Sequence, residues 1–274
     1  MKYVLAKLRN VAYLIAMLLL LYIGVRILFV FIVSSTAGES IPFLKYLEYS
    51  WKGLRFDIAG LCILNSLFLL IYFFPHTITE SKWVKWINFY LFIITNAFGF
   101  LVSIGDIVYY PYVQKRFQAE TFMYLTGEKG DDVYTILPLF IKENWPLILV
   151  FTIIMLIVYQ FTKRVLQSVI TTSFNFKEYV VATVSYLLII GFCILGIRGG
   201  FQMKPLDIIY AAEMVPADEA QYILNTPFTI VKTLDKSSLP PVKYYTMEAY
   251  SNCELPLSFP PVKEKFQPKN VVII

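Results

Sequence analysis

Residues 11–33 read VAYLIAMLLLLYIGVRILFVFIV, 23 residues broken by a single charge, Arg26. About 20 apolar residues carry a helix across the roughly 30 Å of hydrocarbon in a bilayer. The run is therefore a membrane span. Lys2, Lys7 and Arg9 precede it, as in a signal peptide, but it exceeds the usual h-region of about 7 to 15 residues and no small-residue cleavage site closes it. It reads as an uncleaved first span. Outward from it, four further apolar runs follow at Ile58–Phe74, Trp86–Ile107, Pro146–Phe161 and Tyr179–Ile197. Across the 274 residues only 16% are charged and 58% hydrophobic, against about 25% charged in a soluble domain, so a purely soluble globular fold is excluded. The fold class is all-α and polytopic, with five transmembrane helices.

Basic residues set the expected orientation. Segments 1–10, 75–85 and 162–178 carry eight Lys or Arg against two Glu, whereas the alternate connections, 34–57 and 108–144, carry seven against eight acidic residues. The positive-inside rule then places the N-terminus in the cytoplasm. An odd number of spans leaves the C-terminus outside. The net charge of +5 is dispersed, with no Lys/Arg-rich run, so nucleic acid is not an expected partner. Cys62 and Cys193 fall inside apolar runs and only Cys253 in a polar one, which supplies no disulfide framework.

Three domains follow from this reading: a five-span transmembrane domain at 1–197, extracytoplasmic interfacial helices at 198–238, and at 239–274 a Pro-rich linker with a first strand. Within the 108–144 connection, Tyr112–Leu125 and Val133–Ile141 are candidates for interfacial helices or for a compact loop. Pro205–Met214 and Ala217–Leu224 are expected to be short amphipathic helices, interrupted at Pro216 and near Asn225 and Pro227. From Leu239 onward Pro240, Pro241, Pro256, Pro260, Pro261 and Pro268 mark an extended linker. The terminal Asn270–Ile274 reads as the opening of a buried parallel strand, because its apolar residues do not alternate.

No catalytic set can be assembled from these residues. His76 is the only histidine and falls in a connection, which excludes a Ser-His-Asp arrangement outside and a histidine-rich zinc site. Gly199-Gly200 lacks phosphate-loop spacing, and Asp131-Asp132 reads as a surface turn after Gly130. No metal ligand set is expected in this chain.

Charges in or beside the spans are more informative, because burying one in hydrocarbon is expensive. Arg26 lies within the first span, Arg55 and Asp57 at the opening of the second, and Asp106 near the end of the third. Arg55 and Asp57, two apart on a helix, face different ways and pair elsewhere. Arg26, Asp57 and Asp106 are expected in structural ion pairs, with Arg26 to Asp106 or Arg55 to Asp106 as the pairing; a lipid-headgroup or substrate pocket built from the same groups is the alternative. After the fifth span, Arg198-Gly199-Gly200-Phe201-Gln202-Met203-Lys204-Pro205-Leu206 places Arg198, Gln202 and Lys204 at headgroup level. These three and Arg55 are the candidate lipid- or substrate-binding residues, with interfacial anchoring as the competing role for the first three.

Arg55-Phe56-Asp57, the Arg198–Leu206 segment, Asn225-Thr226-Pro227-Phe228 and Lys269-Asn270-Val271-Val272-Ile273-Ile274 together resemble the lipoteichoic acid synthase-like branch of the sulfatase/alkaline phosphatase superfamily, especially its Bacteroidetes-type members. The resemblance covers the whole chain. It implies the membrane-anchoring domain of a phosphoglycerol or phosphoethanolamine transferase, resident in the bacterial inner membrane. The donor would be a membrane phospholipid, and the reaction would pass through a phospho-threonine in an extracytoplasmic domain that requires a divalent metal such as Mn or Mg. In that family an acidic metal ligand follows the strand resembling Asn270–Ile274, and the threonine comes later; neither position falls in this chain. The expectation is an anchor whose partners are phospholipid and a C-terminal catalytic domain, with no catalytic residue of its own. A self-contained assembly partner or lipid carrier is the alternative. A small transporter is disfavoured, because paired spans interrupted by Gly or Pro are missing.

Overall fold

The computed structural model describes residues 2–75, 79, 81–121, 142–167 and 176–234. Eight helices lie wholly among them, and none of the described residues is in a strand: α1 Lys2–Ala37, α2 Phe43–Phe73, α3 Lys82–Val113, α4 Trp145–Gln167, α5 Phe176–Arg198, α6 Tyr210–Met214, α7 Ala220–Ile223 and α8 Thr226–Thr233. Five of these, α1 to α5, are long and apolar enough to cross a membrane. The chain divides into two compact units, Met1–Lys236 and Ser237–Ile274. The second unit, with the Pro-rich linker and terminal strand expected there, lies outside the described residues, as do His76, Asp131-Asp132 and most of the expected interfacial segments between α3 and α4.

The long helices outrun the apolar runs. α1 has 36 residues, which at 1.5 Å each is about 54 Å, more than the hydrocarbon thickness. α2 begins not at Ile58 but at Phe43, just after the extended Pro42. Within its first half Lys52 and Glu48 pair one turn apart at 2.5 Å, and Asp57 is neutralised by Arg26. Hydropathy marks the part of a helix that lies in lipid, not its ends. Those ends have local causes. Pro75 forces Phe74 into an extended conformation (ψ 125°) after α2. Gln114, in the left-handed region at φ 57°, closes α3 through its N–H to Tyr110 O at 2.8 Å.

Packing follows the sequence in a simple way. α2 and α3 are the most buried spans, while α4 and α5 turn broad apolar faces outward, among them Leu156, Leu187, Leu188 and Ile194. One core cluster fills the bundle around Leu14, Leu18, Tyr22, Phe68, Phe92, Phe100 and Val158. A ring stack of Tyr22 on Phe100 at 4.5 Å and a reciprocal amide pair, Asn96 Nδ2 to Asn65 Oδ1 at 2.8 Å and Asn65 Nδ2 to Asn96 Oδ1 at 3.3 Å, fix α1 and α2 against α3. α5 lies close on α2 because Gly196 has no side chain: a Cβ there would stand 2.3 Å from Cys62 Sγ. The second cluster joins the spans to the short helices through Phe29, Phe56, Tyr110, Leu206, Ile223 and Phe228. The short helices α6, α7 and α8 thus cap one end of the bundle.

The two amphipathic helices expected are shorter than the segments read for them, at α6 and α7. The Asn225–Phe228 segment, which the resemblance places in an outer helix, opens α8, where Asn225 takes the N-cap, its side-chain oxygen accepting from Phe228 N at 3.2 Å, with Pro227 in the first turn.

Candidate functional site

Under the cap, four charges are buried together. Arg26, Asp57, Asp106 and Arg116 are each at most 4% exposed. Arg26 comes from α1, Asp57 from α2 and Asp106 from α3, while Arg116 lies in the turn after α3. Arg26 Nη2 reaches Asp57 Oδ1 at 2.5 Å, and Arg116 Nη1 reaches Asp106 Oδ2 at 2.9 Å. The expected pairings of Asp106 with Arg26 or Arg55 are therefore corrected. Arg116 wins Asp106 because the chain turns sharply at Gln114 and returns it to a carboxylate ten residues back. Arg26 instead has a carboxylate facing it from the neighbouring span. Gly53 makes that approach possible: a Cβ on it would come within 2.4 Å of Arg26 Cζ.

The cap is threaded between these two pairs. Arg26 Nη1 donates to Tyr222 O at 2.8 Å and Leu224 O at 3.2 Å; Arg116 Nη2 donates to the same Leu224 O at 3.0 Å and its Nε to Gln221 O at 2.8 Å. Asn225 Nδ2 donates to Asp57 Oδ1 at 2.9 Å, and the Thr226 hydroxyl donates to Asp106 Oδ2 at 2.8 Å. The Arg116 guanidinium also lies over the Phe29 ring, 3.5 Å from its centre. Desolvation pulls the Arg116 guanidinium below its ordinary value, and Asp106 beside it opposes that. Residues 221–226 are held by two ion pairs from three spans and the turn beyond α3.

Chemically this network is a clasp. Two positive and two negative charges cancel, and most of their hydrogen-bonding capacity goes to protein partners. The polar atoms left over, Tyr22 Oη, Arg26 Nε and Asp57 Oδ2, belong to residues bordering a void of about 20 Å³, room for one water molecule.

The other candidates lie apart. Arg55 is exposed and donates to Tyr210 Oη at 3.2 Å. Arg198 uses Nε and Nη2 to hold Gln202 O at 3.2 and 3.1 Å, and Nη2 to hold Met203 O at 2.7 Å, so one edge of its fork binds the loop after α5. That loop turns at Gly199 (φ 82°) and Gly200 (φ 128°), and a Cβ on Gly199 would stand 2.6 Å from Leu206 Cβ. Gln202 is half-buried and Lys204 exposed. The structure gives Arg198 a role in shaping the loop. Among the described residues no three His, Cys, Asp or Glu side chains converge.

A cavity of about 640 Å³ opens at the same end, beside the clasp. Its walls come from the end of α1, the connection at 38–42, the start of α2, the end of α3 and the segment leading into α7, with Tyr222 shared between cavity and clasp. Burial and the nearby acids Glu39, Glu219 and Asp218, together with Tyr110, push the Tyr222 phenol up to about 12. Sequence reasoning missed Arg116, Asn225, Thr226 and this cavity. Asn225-Thr226-Pro227 carried an N-cap signal, while Arg116 carried none, since its partner is decided by the turn. No family model, no curated protein and no solved structure matches this chain.

Proposed function

We propose that this chain is the membrane-anchoring domain of a sulfatase-like phosphotransferase that draws phosphoglycerol or phosphoethanolamine from a phospholipid. The N-terminus lies in the cytoplasm of a bacterial cell, with the capped end facing outward, as the distribution of basic residues supports. The observation that carries the reading is the clasp. The segment after the fifth span does not trail away from the membrane; Tyr222, Leu224, Asn225 and Thr226 are tied to Arg26, Asp57, Asp106 and Arg116. Rigid fixation at that point suits a domain that must meet headgroups at a set height, because tethering raises effective concentration only when the geometry allows engagement. Arg198, Gln202, Lys204 and Arg55 lie on the same side and serve as headgroup contacts in this reading, and the divalent metal belongs to the catalytic domain. The deciding experiment is the coding sequence downstream of Ile274. A frame continuing into an acidic residue soon after the Asn270–Ile274 segment, with a threonine in a later loop, supports the anchor; a native stop codon there favours a self-contained assembly partner or lipid carrier.

A further inference from the structure

Phe201 and Met203 are the most exposed large apolar side chains among the described residues, at 90% and 93%. Both sit on the loop between α5 and Leu206. Gly199 N donates to Gly196 O at 3.1 Å and Gly200 N to Leu195 O at 3.0 Å, which ends the helix, and Leu206 N returns to Arg198 O at 2.9 Å. The loop is thus closed at its base. Arg198 fixes its far side through the carbonyls of Gln202 and Met203, and Leu206 is buried in the second core cluster. A backbone tied in this way holds Phe201 and Met203 out and keeps them from folding back on the bundle.

What they meet follows from α5. It is the least buried of the five spans, and Leu187, Leu188 and Ile194 face outward along it, so its surroundings are acyl chains. Its 23 residues give about 34 Å, little more than the roughly 30 Å of hydrocarbon, with Lys177 near one end and Arg198 at the other. Arg198 therefore stands at the hydrocarbon boundary. Met203 O lies 2.7 Å from Arg198 Nη2, so the loop is at the same level and not above the headgroups. Lys204, also exposed, follows directly. Apolar tips beside a lone cation at that depth are the composition of an interfacial lipid contact, and continuity with the lipid-facing side of α5 favours lipid over a protein partner.

We infer that the 199–205 loop is a membrane-inserted finger, with Phe201 and Met203 in the acyl region of the leaflet at the capped end and Lys204 at the level of the lipid phosphates. The contact is with acyl chains and is indifferent to the headgroup. It needs only the spans and the loop, so it does not rest on the anchoring proposal. Because Leu206 joins the loop to the core under the cap, the finger sets the height of the cap above the leaflet.

The test uses the full chain in nanodiscs of phosphatidylethanolamine and phosphatidylglycerol, with Cys253→Ser as background and with Cys62 and Cys193 buried. The reaction rate of a charged maleimide at Phe201→Cys, divided by that of a neutral one, is compared with the same ratio at Glu213→Cys, exposed on α6. Burial of one Met side chain is worth about tenfold or more in equilibrium, so Met203 alone should slow the charged reagent at Phe201→Cys about tenfold. Adding Met203→Ser should bring the ratio back to within about twofold of Glu213→Cys. Equal ratios at Phe201→Cys and Glu213→Cys while Met203 is present, or slowing that survives Met203→Ser, overturn the inference. Bimane attached at Phe201→Cys separates lipid from protein. Acyl-brominated lipid should quench it as strongly as bimane at Ile194→Cys; a protected thiol without that quenching means that a protein surface covers the loop, and the lipid assignment falls. All the substituted positions are exposed, and unchanged melting temperatures show that the fold is intact. Failure here leaves the anchoring proposal standing, since the coding sequence downstream of Ile274 decides that.

Discussion

Arg26 and Asp57 stand 2.5 Å apart across the interface of α1 and α2, and each is almost wholly removed from solvent. Removing one member of such a pair leaves an uncompensated buried charge and costs about 3 to 5 kcal/mol, whereas replacing both with apolar residues of similar volume is far milder. Arg26→Met and Asp57→Leu should each strongly lower the unfolding midpoint of the purified protein, and Arg26→Met/Asp57→Leu should lose clearly less than the sum of the two, although Tyr222 O, Leu224 O and Asn225 Nδ2 lose partners in it. Losses that simply add in the double variant would show that the pair is not coupled.

Glycines test the same contact from the other side. Gly53→Ala sets a methyl 2.4 Å from Arg26 Cζ, and Gly60→Ala sets one 2.4 Å from Asn225 Oδ1. Each should destabilise by about 1 to 3 kcal/mol, as overpacking does. Gly105→Ala, within α3 and with nothing near its added methyl, should be neutral or stabilising by up to about 1 kcal/mol. A thermal-shift ranking in any other order would contradict the close approaches.

Thr226 isolates one hydrogen bond of the clasp. Thr226→Val keeps the shape but removes the donor to Asp106 Oδ2, and should cost about 1 to 3 kcal/mol, while Thr226→Ser should cost much less. The readout is limited proteolysis: Thr226→Val should speed cleavage within 199–234 and leave the spans intact. Equal cleavage of the two variants would mean that Asp106 does not hold the cap.

The Tyr222 phenol, raised from 10.0 to about 12, makes stability depend on alkaline pH. The folded state holds this proton more tightly than the unfolded chain, so the contribution is fully present below pH 10 and is lost as pH rises towards 12. Tyr222→Phe should flatten the pH dependence of the melting temperature in that window relative to the unmodified protein. Parallel curves for the two proteins would assign the alkaline loss to other groups.

The spans were legible because each is a long apolar run, and lipid tolerates few alternatives to a closed helix. Their ends were less so: Phe43 begins α2 well before Ile58, because hydropathy reads only the apolar part of a helix and the residues from Phe43 to Asp57 carry charges that pair within the fold. That Arg26, Asp57 and Asp106 would need partners followed from the cost of burying charge. Which partner each takes did not, because the choice rests on a turn at Gln114 and on a missing side chain at Gly53, neither of which has a periodic signature. The cavity was illegible for a similar reason: Glu39, Tyr110 and Asp218 are far apart in sequence and ordinary wherever they occur singly.

The spacing of these contacts along the chain orders the events of synthesis. Asp57 follows Arg26 by 31 residues and Arg116 follows Asp106 by 10, so each charge emerges from the ribosome close behind or ahead of its counterion and can enter the bilayer already neutralised. Leu224, whose carbonyl both arginines share, arrives 198 residues after Arg26 and 108 after Arg116. Until then, part of each guanidinium waits for its last acceptor. Closure of the bundle is thus coupled to completion of all five spans, and a ribosome stalled before residue 224 would leave in the membrane a set of helices that a protease can still tell from the finished protein.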